Sequence, residues 1–384
     1  MLKKREEEKG KNRYFDYTLL FLVIFMLGFG LVMLYSVSSY TAQVEYSGDS
    51  FHYVKSQLQS ELIGCVLLIF FMKIDYHRWF KFGFLIYLAA CALCAAVYTP
   101  LGIESGGQSR WISIGGVFTF QPSEAAKLGL IVFMAVLLCK TLKSLKNPVT
   151  ELAAFVFAVI LAAIAGFNNL STGIILGGIA FVMIFVASPK KIRHFMAIFA
   201  VLAGLIAIAT IVAGGYRSTR IAAWLNPEQY ADDAYQTLQG LYAIGSGGLF
   251  GKGLGASMQK LGFVPEAQND MIFSIICEEL GLFGAVGTIL LFVLLIWRFM
   301  VIANNAPDLF GSLIVVGVMT QIALQVILNI AVVTNTIPNT GITLPFISYG
   351  GSSVLILLSE MGLVLNISSQ VRLDDEPLPE RRFR

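Results

Sequence analysis

Apolar residues along this chain come in blocks of roughly 20, the length a helix needs to cross about 30 Å of hydrocarbon. The pattern predicts about ten spans, over residues 17–38, 57–74, 80–99, 123–142, 151–167, 171–188, 195–214, 270–298, 310–333 and 348–368. Between the fifth and sixth, Asn168, Asn169, Ser171 and Thr172 form a very short polar turn. The two cannot be a single span, because the merged run is about twice the thickness of a bilayer. Short alternating segments of the kind a transmembrane β-barrel requires are absent. The expected fold class is an all-α polytopic membrane protein. Composition agrees: the chain is 57% hydrophobic and 13% charged, against roughly 25% charged in soluble domains.

Charge sets the orientation, since Lys and Arg concentrate in short cytoplasmic loops. Lys3, Lys4, Arg5, Lys9, Lys11 and Arg13 crowd the amino-terminal segment, and Arg381, Arg382 and Arg384 end the chain. Alternate loops carry Lys73, Arg78 and Lys81, then Lys140, Lys143 and Lys146, then Lys190, Lys191 and Arg193. Both termini are expected in the cytoplasm, with segments 39–56, 99–122, 215–269 and 334–347 outside. The first span reads as a start-anchor, too long for the apolar core of a cleaved signal and lacking a small-x-small site. The organisation expected is a cytoplasmic tail (1–16), a transmembrane domain (17–368) with one long extracellular loop (215–269) between spans seven and eight, and a second cytoplasmic tail (369–384). The net charge of +3 reflects topology; no basic-aromatic stripe points to nucleic acid.

The five cysteines, Cys65, Cys91, Cys94, Cys139 and Cys277, all fall within spans and read as small packing residues. The three histidines, His52, His77 and His194, have no ligand at metal-site spacing, so no metal site is assigned.

Unusual polar chemistry gathers in three external segments. In the first, Gly106 to Lys127, a Gly-rich turn and an amphipathic stretch with Trp111 lead to Pro122, which opens a helix. Glu124 suits the first turn, and Lys127 lies three residues on, on the same face. Either these two form a structural ion pair, or Lys127 serves Asp270 or a phosphate. The second segment, 215–269, is too rich in Trp, Tyr and Leu for disorder and suggests short amphipathic helices on the membrane surface. Arg217, Arg220, Lys252 and Lys260 offer contacts for an anionic head group. Its glycines (Gly247, Gly248, Gly251, Gly253, Gly255) do not make a nucleotide loop: Gly253 stands where a Ser or Thr is required, and no strand precedes it. They read as flexible turns. The third segment, Asn335 to Ser353, is broken by Pro338, Pro345 and Gly350–Gly351. Irregular backbone at membrane depth must be buried in protein or line a wet cavity. This segment, which includes Ser348, the Gln121–Pro122 corner and the turn at Asp270 are therefore expected to surround one outward cavity.

Asp270 is the most informative residue. It stands where a polar loop turns into an apolar helix, and an ionisable group at a membrane edge is a functional candidate by default. The plain alternative is a helix cap, for which Asn269 and Asp270 are both suited. Glu278 and Glu279, two turns deeper or about 12 Å along the axis, read as buried, hydrogen-bonded carboxyls that fix helix packing.

The runs RWISIGGVFTFQPSEAAK, YQTLQGLYAIGSGGLFGKGLGASMQKLGFVPEAQNDMIFSIICEELG and ITLPFISYGGSS closely resemble signatures of the SEDS proteins (shape, elongation, division and sporulation), the family of FtsW, RodA and SpoVE. The resemblance covers essentially the whole chain and leans to the FtsW-like division branch. It implies a ten-span peptidoglycan glycosyltransferase of the bacterial cytoplasmic membrane that polymerises lipid II on the outer face. It places the catalytic aspartate at Asp270 and the family's fourth-span lysine at Lys127. Two departures stand out. Gln268, Asn269 and Met271 replace the His-Thr and Phe often found around the aspartate, and Asn168-Asn169-Leu170-Ser171-Thr172 replaces a Pro-Asp-Leu-Gly-Thr turn.

The resemblance implies an inverting transfer, from an α-linked lipid diphosphate to a β-1,4 chain. Asp270 is the expected base, activating the GlcNAc 4-hydroxyl of incoming lipid II. Arg110, Arg217, Arg220, Lys127 and Lys252 are candidates for the diphosphates, with Glu124, Gln121 and Ser348 as further substrate-binding candidates. No cofactor is evident; a divalent cation, Mg or Mn, could share the charge stabilisation. The implied partners are a class B penicillin-binding protein transpeptidase and other division or elongation proteins. The rival reading is a lipid II flippase, but transporters place charges near the midplane and often show inverted repeats; here charges crowd the outer rim and no repeat is visible. A pure scaffold would need no such rim. Topology is testable in a chain stripped of native cysteines: Ser50→Cys is expected to react with an impermeant maleimide on intact cells, and Lys143→Cys only after permeabilisation. Equal external labelling would invert or break the orientation.

Overall fold

The computed structural model describes residues 14–105, 108–114, 118–141, 148–167, 169–188, 216–232 and 234–371. The helices are α1 (Tyr17–Glu45), α2 (His52–Lys73), α3 (His77–Ala96), α4 (Pro122–Thr141), α5 (Pro148–Gly166), α6 (Leu170–Ala187), α7 (Tyr216–Leu225), α8 (Tyr235–Gly247), α9 (Ile272–Asn305), α10 (Leu309–Val333) and α11 (Gly351–Ser368). Among the described residues, eight helices are long and apolar enough to cross a membrane: α1 to α4, α6 and α9 to α11. Each falls on an expected span, and α5 occupies the fifth with a shorter apolar stretch, Ala153–Gly166. The seventh expected span, 195–214, lies outside the described residues, as do 1–13 and 372–384 of the two tails.

The all-α expectation needs one correction. The segment before α4 folds into a three-stranded antiparallel sheet, β1 (Gly102–Ser105), β2 (Gln108–Ile114) and β3 (Phe118–Phe120), in that spatial order. Alternation in Arg110-Trp111-Ile112-Ser113-Ile114 supplies the period of a strand. Ile112 is buried and pairs with Gly102 on one side and Phe120 on the other. A few apolar positions on a short run were too weak a signal against the long helical blocks around them.

Polar caps fix the helix ends. Asp16 accepts from the Leu19 amide at 2.8 Å to start α1, and Asp308 accepts from Gly311 at 2.7 Å to start α10. Each cap also ties distant elements together. Asp16 pairs with Arg298 near the end of α9, while Asp308 receives the Tyr76 hydroxyl at 2.6 Å and faces His77 Nε2 at 2.7 Å. Burial pushes the Asp308 carboxyl upward, but the Gly311 amide, the Tyr76 hydroxyl and His77 outweigh it and hold the group below its usual range.

The most consequential feature is a break in α9. The sequence predicts one continuous span over 270–298, yet Gly281 adopts φ 65°, ψ −161°, a conformation essentially confined to glycine. A break leaves carbonyls unpaired before it and amides unpaired after it. The glycine-rich loop after α8 satisfies both sets. Lys252 and Gly253 amides donate to the Glu278 and Glu279 carbonyls, each at 2.9 Å, and the Leu282 and Phe283 amides donate to the Gly248 and Leu249 carbonyls at 2.9 and 3.2 Å. Contact is backbone to backbone: a Cβ on Gly251, itself at φ 79°, would overlap the Glu279 carbonyl. These glycines are therefore a fitted joint and not the flexible turns expected. Gly281→Ala imposes a strained backbone and an overlap with the Gly251 amide, a cost on the order of 1–3 kcal/mol from the dihedrals alone. It is expected to lower the thermal midpoint of the detergent-solubilised protein, measured by scanning fluorimetry.

Candidate active site

The amino-terminal part of α9, held in place by the joint, aims the residues before it. Asp270 does not cap the helix: α9 begins at Ile272, with Met271 in the cap position and no side-chain cap bond. The Asp270 side chain instead turns toward α8. Its Oδ1 accepts from Gln236 Nε2 at 3.2 Å. Gln236 Nε2 also donates to the Pro265 carbonyl at 3.3 Å, and Gln236 Oε1 accepts from Asn339 Nδ2 at 2.8 Å. The backbone is fixed as firmly. Asn329 of α10, fully buried, donates from one amide nitrogen to the carbonyls of Asp270 and Ile342, both at 2.7 Å. The Tyr349 amide donates to the Gln268 carbonyl at 2.9 Å. Asp270 is 7% exposed, so it is sheltered from bulk water yet lies at the rim of the bundle.

Arg110, on β2, lies close by. Arg110 Nη1 and Asp270 Oδ2 both lie 3.9 Å from the point a Cβ on Gly341 would occupy. The guanidinium and the carboxylate thus approach the same glycine. Arg110 opens onto a crevice shared with Tyr98, Gln121, Ser123 and Asn169. On the Gln236 side lies a cavity of about 300 Å³, walled by Trp224, Tyr235, Asn335 and Asn339 among others. The three polar segments thus meet near Asp270: Arg110 from the first, Gln236 from the second, and Asn339 and Gly341 from the third.

The structure distributes the remaining candidates differently. Lys127, 1% exposed, pairs with Glu124 at 2.9 Å. It does not reach Asp270. Glu124 also accepts from Ser353 at 3.0 Å, and Glu360 of α11, bonded to Gln321 at 3.0 Å, is close enough for both charges to act on it. This is an intramembrane charge network joining α4, α10 and α11, so the ion-pair reading of Glu124 and Lys127 describes their geometry. Lys252 pairs with Glu278 at 2.6 Å, and Glu278 further accepts from the Ser257 hydroxyl and the Met258 and Gln259 amides. Lys260 pairs with Glu279 at 2.8 Å, and Ser36 of α1 donates to the same carboxylate at 2.6 Å. The carboxyls expected to fix packing do so at the α9 joint, and they engage Lys252 and Lys260 in doing it. Ser348 is buried, and its hydroxyl accepts from the Leu344 amide at 2.8 Å within its own turn. Arg217 and Arg220 fall on α7, and their side chains lie outside the described residues. Among the described residues, no three His, Cys, Asp or Glu side chains gather to hold a metal ion.

Sequence reasoning missed Gln236, Asn329 and Asn339. Gln236 is one polar position on an amphipathic helix, and Asn329 is one of three buried amides, with Gln321 and Gln325, in a largely apolar span. The second carried a usable signal, since an amide within a membrane helix needs partners.

A multi-span membrane protein with a sheltered aspartate hydrogen-bonded to the wall of a polar cavity is the class this arrangement defines. The chain belongs to the Cell cycle protein family of FtsW, RodA and SpoVE, which it matches over residues 17–373. It is 41% identical to stage V sporulation protein E of Bacillus subtilis (strain 168), covering 93% of this chain and 98% of that one. It is 36% identical to a probable peptidoglycan glycosyltransferase FtsW of Geobacter metallireducens, covering 95% and 97%. Among solved structures, a chain of a peptidoglycan synthase complex that coordinates polymerisation and crosslinking superposes with a TM-score of 0.76 at 26% identity, over 94% of this chain and 99% of that one.

Breaking a buried ion pair strands a charge and costs about 3–5 kcal/mol, whereas removing both partners costs much less. Lys127→Met is therefore expected to destabilise the protein strongly, and Glu124→Gln/Lys127→Met to recover most of the loss. Thermal unfolding of the three proteins checks this.

Proposed function

We propose that this protein is a peptidoglycan glycosyltransferase that polymerises lipid II at the outer face of the cytoplasmic membrane, with Asp270 as general base. The observation that carries this reading is the setting of Asp270. Gln236 and Asn329 fix its side chain and backbone, Arg110 approaches the same Gly341, and a polar cavity lies alongside. Similarity to FtsW proteins named as probable peptidoglycan glycosyltransferases supports the reaction class.

The chemistry follows from that setting. Asp270 takes the proton of the acceptor 4-hydroxyl as its oxygen attacks the anomeric carbon of the donor. The bond from that carbon to the diphosphate oxygen breaks, and its electron pair leaves with the diphosphate. Attack from the opposite face converts an α linkage into a β linkage in one displacement. Negative charge grows on the leaving diphosphate, where the Arg110 guanidinium, beside the Gln121–Ser123 corner, is placed to stabilise it. A single positioned base suffices for inversion; no covalent sugar–enzyme intermediate is required.

A class B penicillin-binding protein is the proposed partner, which would crosslink the strands this protein makes. The similarity to a chain of a synthase complex that coordinates polymerisation with crosslinking supports that pairing.

Asp270→Asn keeps the size and the Gln236 contact distance but removes the base. Purified Asp270→Asn protein is expected to stay folded and to lose chain formation from lipid II by at least about 100-fold, the lower range for a lost general base. Polymer of normal yield on a glycan gel would sink the assignment.

A further inference from the structure

The cavity beside Gln236 has a chemistry of its own. It measures about 300 Å³ and is lined by Ala223, Trp224, Asp232, Tyr235, Gln236, Thr237, Asn335 and Asn339, with Ala234 and Pro265. That volume is at the small end of ligand sites and suits one pyranose ring with a short substituent. Two aromatic rings share the space with four amide or hydroxyl side chains. Aromatic faces carry partial negative charge and attract the weakly positive C–H groups on the flat side of a sugar ring. Planar amides both donate and accept, as hydroxyl and acetamido groups require. The Trp224 indole is fixed for this purpose, since its Nε1 donates to the Asn335 carbonyl at 3.0 Å.

Among the described lining residues, Asp232 supplies a carboxylate that can accept from sugar hydroxyls. Arg110 opens onto a different crevice, with Gln121 and Ser123. Asp270 neighbours both spaces: its Oδ1 accepts from Gln236 of the cavity wall, and its Oδ2 and Arg110 Nη1 approach the same Gly341.

Resting on Asp270 as the base, we propose that the Trp224–Asn339 cavity is the acceptor saccharide subsite, and that it takes a neutral N-acetylhexosamine. The base must touch the acceptor hydroxyl, and this cavity, with its aromatic and amide lining, shares the Gln236 wall with it. Gln236 is the positioning residue of that wall. It bonds Asp270 at 3.2 Å and Asn339 at 2.8 Å, so a sugar seated against Asn339 and Gln236 is in register with the carboxylate.

Diacetylchitobiose, which has the acetamido groups but neither lipid nor diphosphate, is the probe. Saturation-transfer NMR on full-length protein in lipid nanodiscs is expected to show transfer to its acetamido methyl groups and none to maltose. Trp224→Ala is expected to weaken binding by roughly fivefold to tenfold, the effect of one lost aromatic contact. Thr237→Trp, which puts a bulky side chain on the cavity wall, is expected to abolish it. Should Trp224→Ala fail to fold, Thr237→Trp decides alone. Undiminished binding by monodisperse Thr237→Trp protein, or no binding by the parent, overturns the subsite. The two readings fail separately: Thr237→Trp reports on the sugar subsite, whereas if Asp270→Asn protein still polymerised lipid II the base would fall while the sugar result stood by itself.

Discussion

Backbone hydrogen bonding at the break in α9 is the constraint on which the site depends. A helix interrupted at membrane depth leaves unpaired amides and carbonyls, and in an apolar setting each costs several kcal/mol. Here the loop Gly248–Gly253 supplies the missing partners on both sides of Gly281. Without that run the helix would have to continue straight. With it, residues 272–280 depart from the axis of 282–305 and hold the preceding turn, with Asp270, against Asn329 and Gln236. The catalytic candidate is positioned by backbone geometry some ten residues away from it.

Charge in this protein is sorted by function. Lys127 with Glu124, Lys260 with Glu279 and Arg298 with Asp16 are nearly water-free and each joins separate elements or turns. Such pairs gain little net stability over apolar packing, but a lone member would be strongly destabilising. Lys260 with Glu279 and Arg298 with Asp16 thus help fix which segments meet, whereas Lys127 with Glu124 lies within α4. Asp270 differs in setting: it lies in the turn before α9, where its Oδ1 accepts from the Gln236 amide on the wall of the cavity.

Much of this was legible in the sequence, for physical reasons that differ by element. The spans were readable because roughly 20-residue apolar blocks have few other uses, and α1 to α4, α6 and α9 to α11 lie where the blocks predict. Asp270 stood out as a candidate because a carboxylate at a membrane edge demands an explanation. The α9 break was not, since Gly281 is one glycine among 36 and its conformation depends on a loop some 30 residues upstream. Nor could spacing show that Lys252 and Lys260 would be taken by Glu278 and Glu279. Opposite charges on separate elements become partners only through the tertiary fold. The small sheet escaped because Ile112 and Phe120 pair across strands too short to carry a strong alternation.

The joint at Gly281 also bears on the order in which the chain assembles. Every bond that closes it runs backward to residues already synthesised, and the Lys252–Glu278 pair spans only 26 positions. Closing so short a loop is entropically cheap and fast relative to contacts between distant spans. The bent form of α9 can thus be set as the helix emerges, before α10 and α11 exist to pack against it. Asn329 and Tyr349, which arrive later, then dock onto a turn that is already formed.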